Sequence, residues 1–417
     1  MTAAAAAAPV VVVGAGAAGL MAAISAAEAG SPVLVLERTR DGGRKILISG
    51  GGRCNVLPSV SAPQRYVTSS SRNTLRRLLD SWPLAEQRRF FERDLGIPLA
   101  LEPGSGKLFP RSNRARDVRD RLVAYAADRG VVFRFDTLVT GLERMPATGS
   151  WRVTVAGAAA ISARAVILAT GGLSVPQTGS DGTGLRIAAS LGHAIHDTYP
   201  ALTPLTCEPP RHAKLAGVSL PVTIEAGTGR DRLVASGGFL FTHRGYSGPA
   251  VLDVSHIAVR GPHAGADRPE LRVRWTALDR DGWDAEIRSA GSRRLASLVR
   301  QHLPQRLADA LLAETGIPPD TQAAQLRRGD RARLLELLTG YPLPWTGSEG
   351  YRKAEVTGGG VALEEVDPRT LESRRHPGLF LCGEMLDAFG PIGGYNFLWA
   401  WSTGRAAGRG AASRASA

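Results

Sequence analysis

Continuous apolar runs lie near both ends of this chain. Four such runs predict short buried strands: Val10–Val13, Val33–Leu36, Ala165–Leu168 and Leu379–Cys382. Strands that are apolar on both faces are typical of parallel sheets covered by helices. The small-residue segment Ala17–Ala29 follows the first run and predicts a helix, which ends at Gly30 and Pro32. The pattern therefore predicts an α/β fold to which both the beginning and the end of the chain contribute buried strands.

Between these ends, the pattern predicts helices first and a β-rich stretch later. Helical spacing is found at Asn73–Trp82, Leu84–Leu95, Ala115–Asp128, Gly182–Leu191, Ala285–Leu303, Gln305–Glu314 and Arg331–Leu338. Leu99–Glu102 and Lys107–Phe109 predict a hairpin. Val131–Phe135 and Trp151–Val155 predict strands of a separate small sheet. Alternating apolar segments over Leu205–Val259 predict a β-rich domain.

A glycine motif lies where the first strand meets its helix. Gly14 allows a tight turn, and Gly16 lets the backbone approach a pyrophosphate. Gly19 lets the helix pack closely on the strand. The helix N-terminus offers free N–H groups to the phosphates. Glu37 ends the second strand and can accept hydrogen bonds from the adenosine ribose. The motif predicts a dinucleotide site, and a buried turn in an Ala- and Gly-rich chain is the alternative.

A second glycine segment follows the second strand. Gly50–Gly52 suits neither a helix nor a central strand, which predicts a loop whose N–H groups face a ligand. Such a loop would deliver Arg53, Cys54 and Asn55 to that ligand. A flexible surface loop is the alternative interpretation.

The C-terminal part supplies an acid and a second helix start. The last apolar run ends at Gly383-Glu384, Asp387 lies just beyond, and Gly393-Gly394 opens a predicted helix over Tyr395–Gly404. The acid could bind a ribityl chain. The helix dipole could stabilise negative charge on a reduced flavin by about 0.3–1 kcal/mol, and up to ~2 kcal/mol when partly buried. A chain that holds a cofactor at both of its ends favours FAD over NAD, and helix capping or solvent exposure of the two acids is the alternative.

Composition narrows the class of protein. The formal net charge is +13, and only four of the 51 basic residues are lysine. Arginines are dense over 72–93 and 111–121, where solvated helix faces are the main interpretation and an acidic ligand, a cofactor phosphate or nucleic acid the alternative. The three cysteines form no C-x-x-C pair, which fits a reducing cytosol and excludes a redox dithiol. We expect a cytoplasmic protein, since no signal peptide or spanning run is found and the N-terminal Ala run leads directly into the first strand.

Several segments resemble the YhiN/BaiN-like family of NAD(P)/FAD-dependent flavoproteins, which the sequence matches along nearly its whole length. They are the glycine motif at Val11–Leu20, GRKILISGGGRCN at Gly43–Asn55, GKLFPRSNRARDV at Gly106–Val118, LATGGLSVPQTGSDGTG at Leu168–Gly184, FTHRGYSGPAVL at Phe241–Leu252, AEVTGGGV at Ala354–Val361 and GLFLCGEMLDAFGPIGGYNFLWAWSTG at Gly378–Gly404. The chain departs from the family pattern at 56–58 and 174–176, where it has Val-Leu-Pro and Ser-Val-Pro.

The resemblance implies an α/β, Rossmann-like two-part FAD-binding domain with an inserted β-barrel-like and helical region. The predicted boundaries are 1–200 and 346–417 for the FAD-binding domain, 201–280 for the β-rich substrate domain and 281–345 for the helical insertion. It also implies FAD as cofactor and an oxidoreductase that transfers hydride through flavin N5. Activities proposed in the family are reduction of conjugated C=C bonds and oxidation of small amines.

The candidate site residues follow from the motifs and the resemblance together. The predicted cofactor-binding residues are Gly14, Gly16, Ala17, Ala18, Gly19, Glu37, Arg38, Lys45, Ser49, Gly50, Gly51, Gly52, Arg53, Cys54, Asn55, Thr170, Gly171, Gly383, Glu384, Asp387, Gly393, Gly394, Tyr395 and Asn396. The candidate proton donors are Tyr395, Tyr246 and His243, and for each a packed or hydrogen-bonded structural role is the alternative. Cys54 as a nucleophile is disfavoured relative to a small residue that fits against the flavin ring.

The expected partners are a small-molecule substrate and, as a transient electron donor, NAD(P)H, because no second dinucleotide motif is visible. We expect no metal, no membrane and no stable nucleic acid partner, and the oligomeric state stays open. A basic flavoprotein that binds or modifies RNA is one alternative function. An NAD-only dehydrogenase is another.

Overall fold

The computed structural model describes residues 8–229, 232–263 and 268–414, and the chain divides into two compact units. The first unit runs to Tyr199 and resumes at Val356, and the inserted unit spans Pro200–Glu355. The structure thus groups 200–355 in one unit, where the sequence analysis divides this stretch at residue 280 and ends it at 345.

The elements of the first unit before the insertion are β1 (Val10–Val13), α1 (Ala17–Glu28), β2 (Val33–Leu36), α2 (Arg44–Ile48), β3 (Leu57–Pro58), α3 (Arg72–Asp80), α4 (Leu84–Arg89), β4 (Leu99–Glu102), β5 (Lys107–Pro110), α5 (Ala115–Ala127), β6 (Val132–Arg134), β7 (Val139–Arg144), β8 (Trp151–Val155), β9 (Ile161–Ala163), β10 (Ala165–Leu168), α6 (Thr183–Ser190) and β11 (Ile195–Ala201). The inserted unit contains β12 (Leu205–Thr206), β13 (Ser219–Ala226), β14 (Leu233–Phe241), β15 (Gly245–Ser247), α7 (Pro249–His263), β16 (Leu271–Arg274), α8 (Arg280–Ser289), α9 (Leu295–Val299), α10 (Gln305–Thr315), α11 (Arg328–Thr339), β17 (Tyr341–Pro342) and β18 (Gly347–Ser348). The first unit ends with β19 (Val356–Val361), β20 (Leu379–Leu381) and α12 (Tyr395–Ser413).

A five-stranded parallel sheet forms the centre of the first unit, with strand order β20-β10-β1-β2-β6. The four predicted apolar runs supply the three inner strands β10, β1 and β2 and the edge strand β20. The residues of these four strands are buried. The predicted parallel α/β architecture is therefore confirmed.

The prediction that Val131–Phe135 belongs to the separate small sheet is wrong. β6 pairs with β2 at the edge of the central sheet, whereas β8 pairs with β7 and β9 in a separate three-stranded sheet. The residues of β6 are largely exposed, as expected for an edge strand. The apolar pattern of a strand reports how much of it is buried but does not identify its partner, and this explains the error.

Helices α1 and α12 pack so closely that glycine is required between them. A Cβ atom on Gly404 would collide with the main-chain oxygen of Ala18, and one on Gly408 would collide with that of Ala22. These glycines serve helix packing, so α12 continues to Ser413 instead of ending at Gly404 as predicted. This packing fixes the C-terminal helix against the helix of the first glycine motif.

The inserted unit is built on a seven-stranded sheet of order β17-β16-β13-β14-β15-β12-β18, in which neighbouring strands are antiparallel. The prediction of β-structure over Leu205–Val259 is wrong for the last part of this stretch, because helix α7 begins at Pro249. The buried residues Ala250, Val254 and Ala258 recur every four positions, which is a helical period. Together with α8–α11 this helix belongs to the same compact unit as the sheet.

Candidate functional site

The first glycine motif forms the tight turn that the sequence predicts. Gly14 has φ of 101°, and a Cβ there would lie 2.6 Å from the main-chain oxygen of Ala169 in the neighbouring strand. A Cβ on Gly19 would collide with the Gly14 oxygen. A Cβ on Gly16, by contrast, would meet no heavy atom of the described residues within 4 Å. Gly16 therefore borders open space at the uncapped start of α1, where Ala17 and Ala18 follow.

Glu37 is oriented toward this turn. Its Oε2 accepts a hydrogen bond from the Ala15 N–H at 2.7 Å, and its Oε1 accepts bonds from the N–H and hydroxyl of Thr39 at 2.8 and 2.7 Å. The side chain is 8% exposed, and Oε2 has lone-pair capacity left for a ribose hydroxyl. Arg38 forms an ion pair with Asp181 instead of extending freely into solvent.

The second glycine segment is a turn with left-handed backbone. Gly50, Gly51 and Gly52 have φ of 56°, 68° and 85°, and Cys54 has φ of 62°. The three glycines are exposed, and a Cβ on Gly51 would meet none of the described residues within 4 Å. The exposed side of this turn leaves room for a ligand, and the expected contact of its N–H groups with a ligand stays a prediction. The short helix α2 before it was not predicted.

The residues around this turn fix its conformation. Ser49 Oγ donates to the main-chain oxygen of Ile46 at 2.8 Å. Arg53 donates to Glu102 at 2.9 Å, and its guanidinium lies 4.1 Å from the centroid of the Phe109 ring. These contacts give Ser49 and Arg53 structural roles, and cofactor contacts of their side chains stay predictions.

Cys54 is fully buried, and burial raises the pKa of its thiol to about 12. A neutral thiol is a poor nucleophile. This agrees with the expectation that Cys54 packs beside the site without reacting.

Asn55 joins the second glycine segment to the start of α12. With its amide oriented to satisfy both neighbours, Asn55 accepts a hydrogen bond from the Gly394 N–H at 2.9 Å and donates one to the Leu57 oxygen at 3.1 Å. A Cβ on Gly394 would lie 2.5 Å from the carbonyl carbon of Leu57. Two segments more than 330 residues apart in sequence therefore meet here.

The start of α12 has no side-chain cap, and Gly393 and Gly394 both have positive φ. Tyr395 is the first residue of the helix and is 6% exposed. Asn396 does not point away from the chain. Its amide donates to and accepts from the backbone of Gly390 at 2.9 Å in both bonds, so it fixes the approach to the helix.

Glu384 belongs to a polar cluster with Lys45, Ser174 and Thr357, which we name the first-unit cluster. Lys45 Nζ donates to Glu384 Oε2 and to Ser174 Oγ, each at 2.6 Å. Glu384 Oε1 accepts from the hydroxyl of Ser174 and from the N–H and hydroxyl of Thr357, at 3.1 and 3.0 Å for the last two. The cluster joins α2 and the start of β19 to the segments that follow β10 and β20. Sequence reasoning missed Ser174 and Thr357, although both lie in segments that carry the family resemblance.

The residues beside this cluster leave little room for side chains. A Cβ on Gly383 would lie 2.7 Å from Ala18 Cβ in the first turn of α1, and one on Gly171 would lie 2.6 Å from Ser180 Oγ. Thr170 occupies the space opposite Gly184. The end of β20 and the start of α1 are thus in direct contact, which brings the two predicted ends of the cofactor site together.

Asp387 is 2% exposed and binds the chain itself. Its Oδ2 accepts hydrogen bonds from the N–H groups of Ser69 and Ser70 at 2.8 and 2.9 Å, and from the Thr68 hydroxyl at 3.1 Å. His196 Nε2 lies 3.6 Å from the same oxygen. These contacts make Asp387 an anchor for residues 68–70, and a bond from Asp387 to the cofactor stays a prediction.

The other two candidate proton donors lie in the inserted unit. His243 is exposed in the turn between β14 and β15. Tyr246 is fully buried, its hydroxyl lies 2.8 Å from His212 Nδ1, and burial raises its pKa far above the ordinary value. Enclosure of this kind argues against Tyr246 as a proton donor, because a substrate cannot reach its hydroxyl without opening the core of the unit.

The residues present fit the predicted FAD. The first unit combines an open face at Gly16, an uncapped start of α1, an exposed left-handed turn at Gly50–Gly52 and a second uncapped helix start at Tyr395. Such helix starts and N–H groups bind phosphates and stabilise negative charge. In the described part of the chain no group of three His, Cys, Asp or Glu side chains could hold a metal ion, and no helix is long and apolar enough to cross a membrane.

Comparison with known proteins shows the family to which this chain belongs. The family described as HI0933-like protein Rossmann domain matches residues 8–410. A ribosomal RNA dihydrouridine synthase of Escherichia coli (strain K12) is 35% identical over 403 residues, which cover 94% of each chain. A 3-dehydro-bile acid delta(4,6)-reductase of Clostridium scindens is 32% identical over 412 residues, which cover 96% of this chain and 98% of that protein. The resemblance to the YhiN/BaiN-like family is confirmed.

A solved structure shows the same fold. The 3-ketosteroid-delta4-(5alpha)-dehydrogenase from Rhodococcus jostii RHA1 aligns with a TM-score of 0.52 at 18% identity, and the alignment covers 97% of this chain and 96% of that one. At this identity the likeness confirms the architecture alone.

Proposed function

Because this chain belongs to the HI0933-like Rossmann family and is an FAD-dependent oxidoreductase, we propose that it reduces a C=C bond conjugated with a carbonyl group. The names of two relatives support this choice. Dihydrouridine is uridine with its C5=C6 bond saturated, and that bond is conjugated with the C4 carbonyl. A delta(4,6)-reductase of a 3-dehydro bile acid acts on double bonds conjugated with a C3 ketone. The two substrates differ greatly, but the reacting group is the same.

The observation that carries the proposal is that segments from the two ends of the chain meet in the first unit at two contacts. Gly383 contacts Ala18 in α1, and Asn55 holds the N–H of Gly394 at the start of α12. One extended cofactor held at both ends needs this arrangement. When bound, FAD supplies the hydride-transfer chemistry through flavin N5.

The side chains of the site then have distinct tasks. The open face at Gly16 would admit the pyrophosphate, and the Glu37 carboxylate would accept hydrogen bonds from the ribose. The start of α12 would stabilise negative charge on the reduced flavin. Tyr395 carries a hydroxyl at that helix start, and it is the proton donor that we favour over His243 and Tyr246.

RNA is the second candidate substrate class, and it is favoured by two observations. The E. coli relative named for ribosomal RNA is 35% identical over 94% of this chain, and the formal net charge is +13. A basic chain attracts the phosphate backbone through counterion release. A small enone remains the first candidate, in keeping with the expectation of no stable nucleic acid partner. The oxidation of a small amine has no supporting observation, and an NAD-only dehydrogenase does not agree with FAD as the cofactor.

Anaerobic re-oxidation of the bound flavin tests the proposal and separates the two substrate classes. The protein is reduced with NADH, NADPH or dithionite and then mixed with a 3-oxo-4,6-diene steroid, with a uridine-containing ribosomal RNA fragment, or with a primary amine as negative control. Return of the flavin absorbance at 450 nm with the enone or the RNA supports the proposal. Re-oxidation by neither, although oxygen restores the spectrum, contradicts it.

A further inference from the structure

Two tyrosines meet at the start of α12, but their hydroxyl groups have different partners. The rings of Tyr66 and Tyr395 pack edge to face with centroids 5.9 Å apart. Tyr66 is 1% exposed, and its hydroxyl donates to the main-chain oxygen of Tyr395 at 2.7 Å. Burial, with a smaller contribution from Tyr395, raises the pKa of Tyr66 well above its ordinary value. The hydroxyl proton of Tyr66 is therefore engaged in a hydrogen bond to the backbone.

The hydroxyl of Tyr395 accepts a hydrogen bond instead. Arg65 Nη1 lies 3.1 Å from Tyr395 Oη, and the guanidinium carbon lies 5.0 Å from the ring centroid. A guanidinium group has donors and no acceptor, so Tyr395 Oη must be the acceptor in this bond. Among the described residues, the Tyr395 hydroxyl donates no hydrogen bond of its own. That proton is free for an external acceptor.

Arg65 also contacts the oxygen atom that would carry negative charge after proton donation. A hydrogen bond from a cation strengthens as negative charge develops on the oxygen that accepts it. The guanidinium thus stabilises the phenolate that remains after proton donation, as a general acid requires.

The segment that carries Arg65 is fixed to the site by backbone pairing. The N–H of Val67 donates to the Phe389 oxygen at 2.8 Å, and the N–H of Phe389 donates back to Val67 at 3.1 Å. Arg65 lies two residues before this bridge and is exposed. The bridge therefore fixes the exposed Arg65 beside the Tyr395 hydroxyl, while Tyr66, next to Arg65 in sequence, is buried.

We propose that Arg65 is a positioning residue that makes Tyr395, and not Tyr66, the proton donor of the reduction described above; this inference rests on the proposed function. The substrate gains a hydride, supplied by the reduced flavin, at the carbon β to its carbonyl. The π electrons of the C=C bond move to the carbonyl side, and the proton of Tyr395 Oη forms the new C–H bond at the α carbon. The phenolate beside Arg65 then regains a proton from water.

Four variants of the FAD-bound protein test this inference: Tyr395→Phe, Arg65→Met, Arg65→Lys and the matched control Tyr66→Phe. We expect Tyr395→Phe to slow flavin re-oxidation by the conjugated carbonyl by about 100-fold and Arg65→Met to slow it by about tenfold. Arg65→Lys restores most of the rate, because it keeps a cationic donor. Tyr66→Phe keeps the wild-type rate. Flavin reduction by dithionite stays at the wild-type value in all four, and FAD affinity, measured by fluorescence titration, stays at the wild-type value in both Arg65 variants and in Tyr66→Phe.

A second readout does not depend on turnover. With 3-fluorotyrosine incorporated, the seven tyrosines give few ¹⁹F NMR signals, and Tyr395→Phe identifies the signal of Tyr395. We expect Arg65→Met to shift this signal and Arg65→Lys to shift it less.

Three results would overturn the inference. Wild-type re-oxidation rates in Tyr395→Phe exclude it as the donor, and an unshifted Tyr395 signal in Arg65→Met excludes the contact. Equal losses of FAD affinity and of both half-reactions in Arg65→Met show a structural role only. If the wild-type flavin is re-oxidised by no conjugated carbonyl, the proposed function fails and the donor role fails with it, while the NMR shift still reports on the Arg65–Tyr395 contact.

Discussion

Two polar clusters, one in each unit, contain similar chemical groups in different surroundings. The first-unit cluster joins Lys45, Ser174, Thr357 and Glu384. The inserted-unit cluster, as we name it, joins His212, Tyr246, Glu314 and Tyr341, whose polar atoms lie 2.8–3.3 Å apart. Each cluster combines a carboxylate with hydrogen-bond donors, and each would suggest a catalytic site if the residues were considered alone.

The surroundings separate the two clusters. Glu384 follows Gly383, which contacts the first turn of α1, and Gly171 and Gly172 border the same carboxylate. In the inserted-unit cluster, the buried members pack among aromatic rings instead, with the ring centroids of His212 and Phe241 5.6 Å apart and those of Tyr341 and Trp275 5.4 Å apart. The first cluster thus lies beside the proposed FAD site, whereas the second satisfies the polar atoms of its buried members His212, Tyr246 and Tyr341.

The strongest expected effect concerns the open glycine face beside the first-unit cluster. Gly16→Ala should fold normally, because its methyl group meets none of the described residues, yet it should lower FAD affinity by at least about 100-fold, or about 3 kcal/mol. The measurement is a fluorescence titration of the apoprotein with FAD.

Gly329→Ala in α11 is the matched control, since its Cβ would also meet none of the described residues within 4 Å and its φ is not positive. We expect it to leave FAD affinity unchanged. If Gly16→Ala bound FAD with wild-type affinity, the result would contradict the placement of the pyrophosphate at the start of α1.

The next effect tests the ion pair of the first-unit cluster. Lys45 and Glu384 are 25% and 17% exposed, so Glu384→Gln leaves a largely buried ammonium group without its counterion. We expect a loss of about 2 kcal/mol in the free energy of unfolding, measured by urea denaturation, together with weaker FAD binding.

Glu92→Gln provides the control, because its pair with Arg88 is exposed and should contribute less than about 0.5 kcal/mol. Equal losses in the two variants would show that the cluster is an ordinary surface ion pair.

A smaller effect is expected in the inserted-unit cluster. Tyr246→Phe removes the hydroxyl next to His212 and leaves a buried ring nitrogen without that partner, which should cost about 1–2 kcal/mol of unfolding free energy. FAD affinity and flavin re-oxidation should not change. Loss of re-oxidation at normal stability would restore Tyr246 as a candidate proton donor.

The smallest effect is a pH dependence of the same cluster. Burial alone would raise the pKa of the Glu314 carboxyl, but hydrogen bonds from His212 and Tyr341 outweigh it and hold the pKa below the ordinary value. A lowered pKa in the folded state stabilises the protein above the ordinary carboxyl pKa of about 4.5, and this stabilisation is lost as pH falls through the folded value.

The stability difference between wild type and Glu314→Gln, followed by urea denaturation from pH 7 to 3, tests this directly. It should be less than about 1 kcal/mol, since Glu314 is 39% exposed, and it should disappear at the acid end. A difference that grows with acidity would contradict the assigned sign.

The sequence predicts the centre of the first unit well because its signals are local. Four apolar runs become four parallel strands, and the roles of Gly14 and Gly19 follow from their spacing. Gly404 shows the limit of such reasoning, since a glycine after a helical stretch predicts a helix end, whereas here it permits the close approach of α12 to α1.

The candidate site is harder to predict because its contacts join distant segments. Lys45 and Glu384 are 339 residues apart, and nothing local to either one reveals their pairing. Asp387 and Asn396 have residue types that suit a ligand, but in the structure they fix backbone of the chain itself. A polar residue in a motif therefore indicates a location, and only the fold tells whether it faces the ligand or supports the residue that does.

The most direct test of the account is a crystal structure of the FAD-bound protein. The account predicts one FAD per chain, with its pyrophosphate at the start of α1 beside Gly16 and its isoalloxazine ring between the Gly50–Gly52 turn and the start of α12. Density for a cofactor that leaves either helix start unoccupied, or that lies outside the first unit, would contradict it.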